Sequence, residues 1–220
     1  MKIMDKFPES SLIFQRGLLL ALNPDKIEDL PKIPQEQGNK LWQFRNPQLG
    51  YTLNVASNSL TISSTSHKTY NKQQSENRFR DFISHVLTPF FHLTNLPILN
   101  RIGLRYIDEC PFSDNTTASF CEHFNSCLPI GRFPIEKSVE QQYVAFVKHN
   151  EYFLRYVETY NAQIDSKSLT LDFDGSANDV PAKECLAVTD KLHDIIEEAY
   201  FATIKDPVFK YMRGDGEDGH

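Results

Sequence analysis

Apolar and polar positions alternate with period two in several short stretches of the first third of the chain. Leu41–Arg45 (LWQFR) is one. In the next, Tyr51, Leu53 and Val55 alternate with Thr52, Asn54 and Ala56, and Leu60–Ser66 follows with Leu60 and Ile62 on one side. Each reads as a half-buried strand. Asn46-Pro47 with Gly50, and then Asn58-Ser59, supply the turns. Leu12–Leu22 (LIFQRGLLLAL) is apolar on both faces and reads as a strand stopped by Asn23-Pro24, with a loop or short helical turn over 25–40. Spacings this short predict an antiparallel meander of four strands.

The period then lengthens. Phe79, Phe82, Ile83, Val86, Leu87 and Phe90 follow the i, i+3, i+4, i+7 rule of an amphipathic helix. Asn71 and Gln74 have the spacing of a capping box at its start, and Pro89 is placed to end or kink it. Period two returns over Ile98–Cys110, where Ile102, Leu104 and Tyr106 point one way and Arg101, Gly103 and Arg105 the other. Residues 111–134 are poorly patterned, with Phe120 and Phe124 as anchors of a long excursion. Glu140–Lys148, Tyr152–Tyr160 and Ser168–Asp174 read as three more strands, with His149-Asn150 as a hairpin turn. Leu169, Leu171 and Phe173 share one face of the last strand, and Thr170, Asp172 and Asp174 the other. A final helix is predicted from about Pro181 to Lys205, capped by Asp179. Its buried stripe is Leu192, Ile195, Ile196, Ala199 and Thr203, and Pro207 stops it.

Strands grouped ahead of helices predict an α+β fold, with about eight antiparallel strands and two main amphipathic helices. The two halves begin alike, QRGLLLAL at 15–22 and NRIGLRYID at 100–108. A duplicated β4α unit, with pseudo-repeats 12–95 and 98–205, accommodates that echo. The strands could form one continuous sheet with both helices on one side, or two sheets enclosing a cleft. Residues 1–213 are expected to form a single domain, with 214–220 (GDGEDGH) as a polar tail.

Composition narrows the class. A mean hydropathy of -0.44 and the lack of any apolar run near the length of a membrane helix argue against a span. Met1–Ser11 lacks the continuous apolar segment of a secretory leader. Residues 1–110 carry 13 Lys/Arg against 10 Asp/Glu, and residues 111–220 carry 10 against 19. A net charge of -6 is not the electrostatic footprint of a general nucleic-acid binder, although a local basic groove in the first half stays open. The four cysteines, at 110, 121, 127 and 185, form no C-x-x-C, and Cys121, His123 and Cys127 miss the usual paired spacing of zinc ligands. No metal or cofactor is expected, and the scattered thiols point to a reducing, cytoplasmic compartment.

No phosphate-binding glycine loop, nucleophile elbow, zincin helix or deaminase signature occurs. What remains is polar chemistry on strands. Arg101 and Arg105 share one strand face, Asp172 and Asp174 share another, and Arg155 lies on a third strand. If those strands are neighbours, guanidinium and carboxylate groups meet across the sheet. Such a group reads either as a pocket for a small anionic ligand or as a salt-bridged solvent face. Gly103, between the two arginines, needs a bulge or a close approach by a helix, another chain or a ligand. His193 and Glu197 are spaced to share a helix face, as an acid/base pair or as a boundary histidine beside a carboxylate. Trp42, Phe79, Phe82, Phe90 and Phe91 read as core.

RIGLRYID at 101–108 resembles the core strand motif of a sporadically distributed family of uncharacterised bacterial proteins. Three further features fit in order: Trp42-x-Phe44 before a meander, Leu171-Asp172-Phe173-Asp174, and Leu192-His193-Asp194 with Ile195 and Tyr200-Phe201. The family carries Asn where this chain has Asp108. The resemblance implies a prokaryotic, cytoplasmic protein of accessory or defence-related genes, and implies no activity. An aromatic-rich, acidic domain with no catalytic constellation leads to the expectation of a non-enzymatic binding or regulatory module, acting through a protein partner or through self-association as a homodimer. The alternative is a binder of, or enzyme for, a small anionic ligand. Its residues would come from Arg101, Arg105, Tyr106, Asp108, Arg155, Asp172, Asp174 and His193.

Overall fold

The computed structural model describes residues 6–15, 39–67, 69–71, 78–111, 114, 116–163 and 166–213. The fold is α+β, with eight strands in two antiparallel four-stranded sheets. The chain divides into two compact units, 1–94 and 95–220.

In the first unit, β1 (Glu9–Gln15), β2 (Asn39–Asn46), β3 (Tyr51–Ala56) and β4 (Leu60–Ser64) form a meander in sequence order. The alternation read from the sequence sets its inward face. Tyr51 and Leu53 are buried with Phe7 and with Phe82 and Val86 of α1 (Phe79–Thr94). Tyr51 and Phe82 lie with ring centroids 4.3 Å apart. Gly50 has φ +65°, a left-handed turn that an L side chain resists. Strand β1 starts earlier than Leu12, and the remainder of that expected strand lies outside the described residues, as do the 25–38 loop, Gln74 and the 214–220 tail.

Two helix signals differ from the structure. Of the two outcomes expected at Pro89, ending the helix is ruled out, since Pro89 lies inside α1. Proline removes one amide donor, which leaves a single carbonyl to be satisfied elsewhere. The stop comes at Asn95, which takes a left-handed φ of 50° just past the last turn. Because α1 begins at Phe79, Asn71 does not cap it. Trp42 is 49% exposed and is not a core residue.

The second unit holds β5 (Ile98–Pro111), α2 (Thr117–His123), β6 (Glu140–His149), β7 (Tyr152–Gln163), β8 (Ser166–Pro181), α3 (Cys185–Thr203) and α4 (Asp206–Arg213). Its strand order is β5-β8-β7-β6. Both units carry four strands followed by a helix, but the first strand is next to the last only in the second unit. The β6–β7 hairpin turns through Asn150, at φ 56°, and Glu151. Phe120 and Phe124 anchor the excursion as expected, and α2, which the sequence pattern did not reveal, carries Phe120.

The last helix starts later than its cap signal suggested. Strand β8 runs on through Asp179, at φ 53°, to Pro181, and a short 3-10 turn over Ala182–Glu184 precedes α3. Beyond Asp179 the pairing with β5 resumes, Val180 opposite Leu99 and Pro181 opposite Ile98, and keeps the chain in the sheet. Helix α3 lies on the face of β8 that carries Leu169, Leu171, Phe173 and Gly175. A methyl group built on Gly175 would sit 3.3 Å from Ile196 Cδ1 and 3.5 Å from Leu192 Cβ, so glycine sets how closely the helix approaches. Pro207 falls in the first turn of α4, which starts after the break at Ile204 and Lys205.

Candidate functional site

The second sheet has an inner face under α3 and an outer face opposite. Period two places odd-numbered residues of β5 and β7, and even-numbered residues of β8 and β6, on the outer face. Arg101, Arg105, Asp172, Asp174 and Arg155 therefore come together there, on three adjacent strands. Arg105 clamps Asp172 with two hydrogen bonds, Nε to Oδ1 at 2.7 Å and Nη2 to Oδ2 at 2.8 Å. Arg155 Nη1 donates to Asp172 Oδ2 at 3.0 Å, and Arg101 Nη2 to Asp174 Oδ1 at 3.3 Å. The hydrogen bond from Arg105, helped by Arg155, holds the Asp172 carboxyl below the ordinary aspartate range, and the same contact raises Arg105.

Gly103 has a reason that the sequence left open. A side chain there would meet the Arg101 guanidinium, with Nη1 at 3.1 Å. The bare backbone gives that guanidinium room to lie along the strand.

Apolar side chains surround this charged lattice. Ile107 is 59% exposed, Phe146 79%, Phe153 42% and Val144 43%, all on the outer face. Val157, registered beside Asp172, is buried. Lys148 reaches over the Phe153 ring, 5.9 Å from its centroid. Sequence reasoning missed these residues as a surface, because both parities of β6 and β7 are apolar and period two then points to neither face.

The remaining candidates lie on the inner face. Tyr106 OH is 3.4 Å from His193 Nδ1, and His193 Nε2 is 3.9 Å from Glu197 Oε1. Asp108 shares the Tyr106 side of β5. Burial lowers the His193 pKa against the opposing pull of Glu197, Asp194 and Asp190, and burial raises Asp108 and Tyr106. Burial also pushes the Cys110 thiol up to about 11. The eight candidate residues thus form two groups on opposite faces. Asp172 and Asp174 cannot share a substrate with His193 through the sheet.

One charged residue escaped the sequence reading. Glu158 is fully buried on the inner face, where it accepts from Ser126 Oγ, Tyr156 OH and the Cys127 amide, the last at 2.9 Å. Its signal was present: Leu154, Tyr156, Glu158 and Tyr160 share a parity, so a carboxylate stands in an apolar row. It fastens the loop after α2 to β7, and Asn125 N to Thr203 O at 2.7 Å ties the same loop to the end of α3. Partial desolvation and the Glu158 charge raise the thiol of Cys127, itself an exposed residue, which works against nucleophilic chemistry there.

Among the described residues no group of His, Cys, Asp and Glu could hold a metal ion, and no helix is long and apolar enough to cross a membrane. His123 Nδ1 lies 2.8 Å from Ser119 O. The outer face can recognise, since arginine hydrogen bonds and apolar anchors lie side by side. An anion at Arg105 or Arg155 would share the guanidinium with Asp172, which takes Nε and Nη2 of the first and Nη1 of the second. No family model matches the chain, and no curated protein or solved structure matches it.

Proposed function

We propose that this chain is a cytoplasmic bacterial binding module whose contact surface is the outer face of the second sheet and whose partner is a protein. The observation that carries the reading is the ring of exposed Ile107, Val144, Phe146 and Phe153 around the Arg105–Asp172–Arg155 lattice. Aromatic anchors beside arginine are the composition of energetic centres in protein interfaces. Asp172 holds the guanidinium planes in place before binding, which lowers the ordering cost at contact. Arginine outnumbers aspartate in the lattice, so the fitting partner offers an apolar side chain next to a carboxylate. Four free cysteines suit a reducing compartment, and the resemblance at RIGLRYID supports an accessory bacterial role.

The test is photo-crosslinking in the host, with benzoylphenylalanine at Phe153 and, as a control, at Phe201 of α3. The protein captured at Phe153 is then purified and titrated against parent and Arg105→Ala. Capture at Phe153 alone, with affinity lowered about tenfold by Arg105→Ala, supports the reading. Equal capture at Phe201, or affinity indifferent to Arg105, sinks it.

A further inference from the structure

The two edges of the second sheet are built differently. Strand β5 carries Arg101, Arg105, Asp108 and Glu109 and ends at Pro111, the usual guards against edge pairing. Strand β6 has ten residues in unbroken register with β7, from Glu140 opposite Asn161 to His149 opposite Tyr152. It contains no proline, glycine or bulge. From Gln141 to Val147 it is uncharged and holds four strong strand formers, Tyr143, Val144, Phe146 and Val147. Acidic Glu140 and basic Lys148 stand near opposite ends, and neither is in an ion pair with another described residue. Among the described strands β6 pairs with β7 alone.

We propose that β6 takes a second copy of this chain, the two β6 strands pairing antiparallel about a two-fold axis. The axis is perpendicular to the sheet, so both outer faces remain on one side and residues of the same parity meet. With Val144 on the axis, Glu140 faces the second copy's Lys148 and Gln142 faces the second copy's Phe146. The charge match occurs twice because of the symmetry. A shift of two residues one way sets Lys148 against Gln142, and the other way sets Glu140 against Phe146, so both lose it. Opposite charges directly across an antiparallel pair favour one register, and like charges oppose it. The proposal deepens the binding reading and rests on it, since the dimer joins two outer faces into one platform of eight strands.

Sedimentation velocity over a concentration series at low salt tests it. The parent is expected to dimerise. Lys148→Glu or Glu140→Lys alone weakens dimerisation about tenfold, by setting like charges opposite one another twice. The double variant Glu140→Lys/Lys148→Glu restores it, which also shows that these positions tolerate exchange without loss of the fold. A parent that stays monomeric, single variants that assemble like the parent, or a folded double variant without recovery overturns the proposal. Capture at Phe153 reads the outer-face contact separately, so failure of the dimer and failure of the outer-face reading are told apart.

Discussion

Arg105 is registered directly opposite Asp174, yet it bonds Asp172, the diagonal neighbour, through both Nε and Nη2. The diagonal choice lets Arg155, registered opposite the same Asp174, reach Asp172 from the other side. One carboxylate thereby ties three strands together.

That bond has an acid limb. Asp172 is stabilised as the carboxylate, so its folded pKa lies below its unfolded one. The contribution is complete above the ordinary aspartate value and is lost as pH falls through the folded value. Asp172→Ala is expected to cost about 1–3 kcal/mol at pH 7, measured by urea unfolding. The gap between variant and parent should close as the solution is made strongly acidic.

Two glycines on the second sheet should answer oppositely to substitution. Gly175→Val pushes into Leu192 and Ile196 of α3 and is expected to cost about 1–3 kcal/mol. At Gly103 the atom in the way belongs to the half-exposed Arg101 side chain, which can swing aside. Gly103→Ala should be neutral or stabilise by up to about 1 kcal/mol. Paired thermal melts decide it, and a Gly103→Ala as damaging as Gly175→Val would contradict this account of the two positions.

Glu158→Ala removes the acceptor of three donors at once. The expected loss is about 1–3 kcal/mol, because Ser126 Oγ and the Cys127 amide lose their acceptor while Tyr156 OH keeps Thr203 Oγ1. Glu158→Gln is milder and carries a second readout. The nearby charge that helps raise the Cys127 thiol is gone, so iodoacetamide should alkylate Cys127 faster at mildly alkaline pH. Unchanged alkylation would show that the carboxylate does not govern this thiol.

His193 titrates in the opposite sense to a paired histidine. Burial is the largest influence and lowers its folded pKa beneath the ordinary 6.5. The folded chain then binds fewer protons, so stability is lost as pH falls below that ordinary value and levels off beneath the folded one. His193→Gln should flatten this part of the stability profile, and an NMR titration of the ring should place its midpoint below that of a free histidine.

The sequence revealed the faces of the strands better than their partners. Ile102, Leu104 and Tyr106 against Arg101, Gly103 and Arg105 came out as read, because period two follows from backbone geometry. The pairing of β5 with β8 was not legible, since alternation within a strand carries no information about which strand lies beside it. Asp179-x-Pro181 misled as a helix start because those residue types suit a cap, while tertiary pairing of Val180 and Pro181 with Leu99 and Ile98 kept the chain in the sheet. Of the candidate site, the Arg/Asp convergence was foreseen as conditional on neighbouring strands. The separation of His193, Tyr106 and Asp108 onto the other face needed the position of α3.

The strand order also dictates a timetable. Gln43 and Asn54, joined across the first meander, are 11 residues apart, whereas Arg105 and Asp172 are 67 apart. Local hairpins close at small entropic cost, and distant pairings close late. During synthesis β5 therefore leaves the ribosome without its neighbour and waits several seconds for β8, at about 5–20 residues per second. Through that interval Ile102, Leu104 and Tyr106 are exposed next to a line of unused amides. The arginines, acids and terminal proline along β5 keep the waiting strand from pairing with a neighbouring nascent chain.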